Sequence, residues 1–202
     1  MKTNLGTLFL FAIAVGLTAC HNNPNSTSEA NANDTSAVSI STDVTKTQAP
    51  DTAQVMSASI ADSTFLDKAY NIGVFEIKIA KLAVQKSQDG KVKEFANMMI
   101  EDHTAMGKDV TALMKKKNYD IPTGLPGELK DKLDELNKLS GKDFDKKYAE
   151  INVNGHKEAL DMFKGVSNNS KDADVKKLAT EALPKLQGHE DHALMVQSQV
   201  NS

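Results

Sequence analysis

The sequence contains no arginine, and its 202 residues include a single cysteine. Because all 24 basic residues are lysine, the planar guanidinium contact that holds phosphate or carboxylate with two hydrogen bonds is excluded. A lone cysteine excludes an internal disulfide and any metal site built from several thiolates. Acidic residues outnumber basic ones by 27 to 24, which disfavours nucleic acid as a partner.

Sequence motifs of several enzyme classes are absent as well. The chain has no Gly-x-Ser-x-Gly turn for a serine nucleophile, no Gly-x-x-x-x-Gly-Lys phosphate loop and no His-Glu-x-x-His zinc helix. The sequence therefore favours a protein that is not an enzyme, and no catalytic residue is predicted.

The first twenty residues have the pattern of a bacterial lipoprotein signal peptide. Lys2 precedes a mostly apolar run from Leu5 to Leu17, and residues 17–20 are Leu-Thr-Ala-Cys, which has the form of a lipobox. The pattern predicts a signal peptide at residues 1–19, with cleavage before Cys20 and lipid attachment to it. An uncleaved membrane anchor is the alternative, but the run is shorter than the roughly 20 apolar residues that span a bilayer.

A lipid on Cys20 makes the membrane the expected partner, and no sequence feature identifies a protein partner. His21 follows the cysteine, where an aspartate would argue for retention in the inner membrane of some bacteria. We therefore expect a lipid-anchored protein of the cell envelope. The outer membrane, facing the periplasm or the cell surface, is the preferred location.

Residues 20–61 are predicted to be a disordered tether. This segment is rich in serine, threonine, asparagine, alanine and aspartate, and it has no aromatic residue. A coil of roughly forty residues spans on the order of 35 Å, enough to hold a domain clear of a lipid surface. The remaining residues, 62–202, suffice for one domain with a hydrophobic core.

Apolar residues recur with helical spacing through nearly all of residues 62–202, and strand-like alternation is absent. The spacing predicts five helices, at about 62–87, 91–118, 128–139, 140–167 and 172–199. Ser140 or Asp143 is expected to cap the fourth helix, and Pro184 to bend the last. Two hairpins joined by a long connection predict an all-α, ferritin-like four-helix bundle with a short extra helix in the crossover. An up-down-up-down bundle is the main alternative.

Each long predicted helix has one residue of metal-ligand type near the core: Glu76, His103 and His189 lie on the core-facing sides of their helices, and His156 lies close to that side, on a face shared with Asn152, Ala159 and Phe163. Distances counted from the connecting turns place Glu76 and His103 at a similar height, but His156 and His189 some 7 Å apart. A site with three ligands is therefore expected to form more easily than one with four.

Carboxylate and imidazole groups from facing helices are the means by which helical bundles bind iron, manganese or zinc. A buried carboxylate is unfavourable unless it is paired or bound to metal. The alternative is a hydrogen-bonded polar layer that only fixes the register of the helices. The sequence alone leaves both interpretations open.

Stripes of methionine and histidine give a second candidate set. They consist of Met99, His103 and Met106 on the second helix and His189, His192 and Met195 on the last. Sulfur together with imidazole suits Cu(I). Methionine at helical spacing is also common as filler of a hydrophobic core, so these positions are equally explained by packing.

Four segments resemble the DUF4142 family: GVFEIKIAKLAVQKS, VKEFANMMIEDHTAM, LSGKDFDKKYAEINVNGHKEALDMF and ALPKLQGHEDHALM. The resemblance extends over about residues 65–196 and implies a ferritin-like fold and an envelope location, since the family is often described as outer membrane proteins. In that family a glutamate, an Asp-His pair and two later histidines recur, corresponding here to Glu76, Asp102 with His103, His156 and His189. Asp102 thereby joins the secondary metal candidates.

Di-iron proteins of the ferritin-like fold use Glu-x-x-His on two helices and a glutamate on each of the others. This sequence has no Glu-x-x-His, and only Glu76 among the four central candidates is a carboxylate. A single-ion or structural site for iron, zinc, manganese or copper is therefore expected. The resulting hypothesis is a lipid-anchored metal-binding protein for stress protection or metal handling. A metal-free envelope interaction module is the alternative.

Overall fold

The computed structural model describes residues 60–202. The predicted signal peptide, the lipidation site Cys20 and the predicted tether up to residue 59 lie outside the described residues, so these remain predictions. Within the described part, none of the helices combines the length and apolarity that a membrane crossing requires.

The described residues form helices and connecting turns, without a β-strand, and the all-α prediction is confirmed. The helices are α1 (Asp62–Lys86), α2 (Gly90–Lys116), α3 (Gly127–Lys138), α4 (Gly141–Asn169) and α5 (Ala173–Asn201). Each end agrees with the predicted one to within about two residues, because helical periodicity and the glycine, proline and asparagine turns define the same boundaries. Pro184 lies inside α5, which continues as one helix on both sides of it.

Aspartate side chains begin two of the long helices. Asp89 accepts hydrogen bonds from the first backbone amides of α2, and Asp172 does the same for α5. Ser140 occupies the corresponding position before α4, but its side chain makes no capping hydrogen bond, so the predicted cap at Ser140 or Asp143 is not found. The following Gly141 has a φ of 55°, which turns the chain away from the geometry that a serine cap needs.

Contacts between helix ends show that α1 and α4 are antiparallel neighbours. The Ser170 hydroxyl, at the end of α4, donates to the Asp62 carboxylate at the start of α1, at 2.9 Å. At the other end of the bundle, the Lys86 ammonium donates to the Leu139 carbonyl, at 3.2 Å. The start of α4 therefore lies beside the end of α1.

Helices α2 and α5 are also antiparallel neighbours. The Gln199 amide donates to Asp89 at 2.8 Å, and Lys116 pairs with Asp174 at 2.9 Å at the opposite end. Taken with the α1–α4 contacts, α2 and α4 run in the same direction, so residues 117–140 must cross the length of the bundle. This is a one-crossover arrangement, as in ferritin-like folds, and it excludes the up-down-up-down alternative.

The hydrophobic core has two parts. The α3-side core includes Ile79, Phe95, Met99, Leu136, Phe144, Tyr148 and Val196. The Phe65 core, at the opposite end of the bundle, includes Phe65, Leu66, Val110, Met114, Leu160, Phe163 and Val175. Along each long helix, a buried polar residue lies near the point where the helix passes from one part of the core to the other. These residues form the candidate site.

Candidate metal centre

Glu76, His103, His156 and His189 come together inside the bundle, one from each long helix. Their exposed fractions are 3%, 3%, 0% and 2%, so the whole group is shielded from solvent. The three imidazole rings lie 5.0 to 5.7 Å apart between centroids. One ring nitrogen of each histidine lies within 4.8 Å of the others. The structure thus brings together all four sequence candidates.

The expected difference in height between His156 and His189 is absent. Their ring centroids are 5.2 Å apart. The Cα–Cβ bond of a helical residue tilts toward the helix N-terminus, and the two helices run in opposite directions. The side chain of His156 therefore points away from the α4–α5 turn and that of His189 toward it, which cancels a difference counted from Cα positions alone.

Glu76 connects the imidazoles of two other helices. Its Oε2 atom lies 3.1 Å from His103 Nδ1, and its Oε1 atom lies 3.6 Å from His156 Nε2. A carboxylate removed from water is unfavourable by several kcal/mol unless such partners or a cation offset the loss of solvation. His103 Nδ1 is the nearest such partner, whereas His156 Nε2, on a ring whose other nitrogen bonds the Asn152 carbonyl, offers no proton to the carboxylate.

Acceptor groups around the centre determine which nitrogen of each histidine has the proton. His156 donates through Nδ1 to the backbone carbonyl of Asn152 at 2.8 Å, and His189 donates through Nε2 to Asp102 at 2.9 Å. His103 directs Nδ1 at Glu76. The remaining nitrogens, His103 Nε2, His156 Nε2 and His189 Nδ1, have no hydrogen-bond partner among the described residues. Each histidine therefore presents a lone pair, as metal ligands do.

Burial keeps the imidazoles of His103 and His189 neutral. It lowers the pKa of His189 to about 4, against the opposing effect of the hydrogen bond to Asp102, and His103 and His156 add to the decrease. Burial also lowers the pKa of His103, and the nearby charge of Glu76 only partly opposes it. Both rings are unprotonated at neutral pH, which is the form that binds metal.

Asp102 links the centre to the protein surface. Its carboxylate, 22% exposed, accepts from His189 and also pairs with Lys185 of α5. Burial favours the neutral acid, but the hydrogen bonds from His189 and Lys185 outweigh it and lower the pKa of Asp102. Asp102 was a secondary ligand candidate, and the structure places it behind His189, where it orients the ring.

Of the predicted methionine–histidine stripes, only His103 and His189 belong to the buried histidine cluster. Met99 is fully buried in the α3-side core, and Met106 packs against the Phe65 core. His192 is exposed and donates through Nδ1 to the Gly188 carbonyl, and Met195 is 59% exposed. At 100° per residue, positions three and six after His189 rotate progressively away from its face.

Sequence reasoning missed two polar residues of α4 next to His156. Tyr148 and Asn152 precede it by two turns and one turn, and both are buried. The Tyr148 hydroxyl and the Asn152 side-chain oxygen have no hydrogen-bond partner among residues 60–202. Burial and the charge of Glu76 raise the pKa of Tyr148 well above its usual value, so the phenol stays neutral. The signal in the sequence was the spacing of four residues from Tyr148 to Asn152 and from Asn152 to His156, which places all three on one face of the helix.

Three imidazoles and one carboxylate form a donor set of intermediate softness, which suits zinc, copper, iron and manganese. Nitrogens bound to one tetrahedral ion lie about 3.3 Å apart, given bonds of about 2.0 Å. The histidine nitrogens lie within 4.8 Å of one another, so the widest pair would need to move closer by up to about 1.5 Å to bind one ion.

These features define a class: a one-crossover helical bundle with a buried histidine–carboxylate centre. A family model described as "Domain of unknown function (DUF4142)" matches residues 46–196. The chain therefore belongs to the DUF4142 family, as its sequence segments predicted. A comparison with curated proteins finds no match.

Several solved structures share the fold. CopM in the Cu(I)-bound form matches with a TM-score of 0.58 and 18% identity, over 69% of this chain and 97% of that chain. A DUF305 fragment from Deinococcus radiodurans matches with a TM-score of 0.61 and 12% identity, over 68% and 95%. A secreted DUF305 protein from Streptomyces coelicolor matches with 0.57 and 14%, over 71% and 96%. At these identities the likeness establishes the fold alone.

The lowered pKa of His189 predicts that acid destabilises the metal-free protein. An unfolded histidine has a pKa of about 6.5, so between pH 6.5 and 4 the unfolded chain binds a proton that folded His189, with its pKa of about 4, does not. The free energy of unfolding should fall by about 2 kcal/mol from pH 7 to pH 5 through this group. Urea denaturation in the presence of a chelator measures it.

His189→Gln should reduce this pH dependence and leave the part due to His103, whose pKa burial also lowers, whereas the exposed His192→Gln should leave it unchanged. An equal dependence in wild type and His189→Gln would show that the imidazole of His189 does not titrate in this range.

Proposed function

We propose that this protein binds one transition-metal ion through His103, His156 and His189, with Glu76 as the fourth ligand or as the partner that orients His103. The observation that supports this most directly is the set of three buried ring nitrogens, each left without a hydrogen-bond partner, on three different helices. A cation at their centre would give all three a partner at once.

A polar layer with a purely structural role explains less well why three buried ring nitrogens have no hydrogen-bond partner among the described residues. Buried polar groups in folded proteins are almost always hydrogen-bonded, because each unmade bond destabilises the fold by roughly 1–3 kcal/mol. A layer that only fixed helix register would be expected to pair its nitrogens with one another. Here the rings of His156 and His189 bond Asn152 and Asp102 and not one another, and each ring keeps one nitrogen without a hydrogen-bond partner among the described residues.

The donor set favours copper and zinc over manganese and iron. Affinity for nitrogen and oxygen ligands rises along the first-row metals to a maximum at Cu²⁺. Imidazole and carboxylate ligands are also the types that hold these two divalent metals in proteins. CopM, whose solved forms hold Cu(I), Cu(II) or silver, supports the proposal as an example of this bundle type with a metal bound.

With Glu76 as the fourth ligand, the role that fits this centre is metal handling or protection against metal stress rather than catalysis. Catalytic metal sites keep a coordination position open to substrate, and sites with four protein ligands are commonly structural or sequestering. The lipobox at residues 17–20 supports attachment of the bundle to the envelope through Cys20, preferably at the outer membrane. In that place the centre would capture ions outside the cytoplasm.

Metal titration of the full chain, purified in detergent and stripped with a chelator, tests the centre. We expect one equivalent of Cu²⁺ or Zn²⁺ to bind, with affinity at least a hundredfold lower in His103→Ala and His189→Ala, because each loses a ligand. His192→Ala is the matched control and should bind as wild type does. Failure of the wild type to bind any of copper, zinc, iron and manganese with one-to-one stoichiometry would refute the proposal.

Asp102→Asn tests the outer hydrogen bond to His189. Loss of the carboxylate weakens the orientation and basicity of the ring, so metal affinity should fall about tenfold to a hundredfold while the bundle remains folded. Glu101→Gln removes the same charge from the adjacent, exposed position and should leave affinity unchanged. Competition with a chromophoric chelator measures both, and equal affinities for the two variants would contradict the role of Asp102.

Cys20→Ser tests the anchor. The wild-type protein should incorporate a labelled fatty acid and sediment with membranes in a bacterial host, whereas Cys20→Ser should do neither. His21→Ala is the control for a neutral change beside the lipobox. Membrane sedimentation of Cys20→Ser with an uncleaved signal segment would favour the alternative of a membrane anchor.

A further inference from the structure

The candidate centre is buried, so an ion must pass between two helices to reach it. Two grooves extend inward as far as Glu76. One, of about 520 Å³, lies between α1 and α4, and the other, of about 470 Å³, lies between α2 and α5. Both are seams between the α1–α2 hairpin and the α4–α5 hairpin, and they differ in what holds them closed.

The α2–α5 seam is bonded directly beside the centre. Asp102 of α2, the neighbour of His103, accepts a hydrogen bond from His189 at 2.9 Å and pairs with Lys185, both on α5. Hydrogen bonds to a carboxylate are among the stronger ones in proteins. An ion that entered here would have to break two such bonds and displace one of its own ligands.

The α1–α4 seam is bonded at its ends. The Ser170–Asp62 hydrogen bond lies about 21 Å from Glu76 along α1, and the hydrogen bond from Lys86 lies about 15 Å away in the other direction. Between them, among the described residues, the one polar approach of α1 to α4 is that of Glu76 Oε1 to His156 Nε2. Their separation of 3.6 Å exceeds that of a hydrogen bond. This seam can therefore widen beside the centre without losing a bond there.

Gly155 makes the wall of the α1–α4 groove thin at this level. It precedes His156 on α4 and lines the groove together with Glu76. A Cβ placed on Gly155 would lie 3.8 Å from Glu76 Oε1, which is ordinary van der Waals contact. Because glycine has no side chain, the space next to this carboxylate oxygen stays open toward the groove.

The charge of the grooves favours a cation. The charged lining residues of the α1–α4 groove are five acidic and three basic: Glu76, Glu135, Glu150, Glu158 and Asp161 with Lys68, Lys132 and Lys147. Glu158 is exposed and lies three residues after Gly155, on the same side of α4. The α2–α5 groove has four acidic and three basic lining residues, so charge favours a cation in both. The bonds across each seam, and Gly155, distinguish the two routes.

We propose that a divalent ion enters through the α1–α4 seam beside Gly155, and that Glu76 Oε1 is the first ligand it meets. The ring nitrogens of the three histidines then complete its coordination. This inference rests on the proposed metal binding and adds the route to it. Gly155 is thereby a residue that sets the rate of binding and not the affinity.

Stopped-flow fluorescence of the full chain in detergent, stripped with a chelator, tests the route with Cu²⁺ alone as the probe. The protein has three tyrosines and no tryptophan, and Tyr148 lies two turns from His156 on α4, so bound Cu²⁺ should quench tyrosine emission. The dependence of the quenching rate on Cu²⁺ concentration gives the association rate, and an equilibrium titration gives the affinity. His103→Ala, which lacks a ligand, identifies quenching by ions bound elsewhere.

Gly155→Ala places a methyl group in the route without a clash. Association and dissociation of Cu²⁺ should both slow by about tenfold, so that the affinity stays as in the wild type. Gly73→Ala is the matched control, because Gly73 is also a helical glycine and lines the α2–α5 groove. Its Cβ would lie 3.9 Å from His103 Nδ1, at the same ordinary contact distance. Its rates should equal those of the wild type.

Glu158→Gln tests the charge at the entrance. It should slow association by about threefold at low ionic strength, and the difference should disappear in high salt. Asp109→Asn removes an exposed acidic group from the α2–α5 groove and should leave the rate unchanged.

Wild-type rates in Gly155→Ala, or slow association in Gly73→Ala alone, would overturn the route. A loss of affinity in Gly155→Ala as large as its loss of rate would overturn it too, since the methyl group would then act on the bound state. Normal equilibrium binding with these rates unchanged refutes only the route. Absence of one-to-one binding in the wild type at equilibrium refutes the metal centre and the route with it.

Discussion

The buried contact between the Glu76 carboxylate and the His103 imidazole is the interaction on which the structure depends. It ties α1 to α2, and His156 of α4 lies beside it, in an interior that also buries Asn152 and Asp145. Replacing such polar groups with well-packed apolar ones is often neutral or stabilising, so stability alone does not explain four buried ligand-type residues. The centre is therefore best understood as a site that the bundle supports at some expense to its own stability.

Much of the fold could be predicted, because helical periodicity and turn residues act locally. The spacing of apolar residues identified every helix to within about two residues of its ends. Two predictions were wrong, the cap of α4 and the height difference between two histidines, because both depend on local geometry that the spacing of residues does not encode. Ser140 does not cap α4, because Gly141 takes a positive φ. The apparent height difference between His156 and His189 came from counting Cα positions without the tilt of the side chains.

The candidate site was predictable in its members but not in its chemistry. Glu76 and the three histidines stood out as polar residues on apolar faces, and the structure brings them together. Their hydrogen bonds could not be foreseen, since the contact of Asp102 with His189 joins residues 87 positions apart. His192 and Met195 are exposed, although they follow His189 at intervals of three residues. Each such interval rotates the side chain by about 60° around the helix axis, away from the face of His189.

The two hairpins contribute equally to the centre: Glu76 and His103 come from α1 and α2, and His156 and His189 from α4 and α5. Only the crossover at residues 117–140 connects these halves covalently. An ion bound by both hairpins would cross-link them, and it could dissociate only when the hairpins separate. The rate of ion exchange would then be limited by the rate of this separation. A loaded protein would therefore keep its ion after dilution for much longer than its equilibrium affinity indicates.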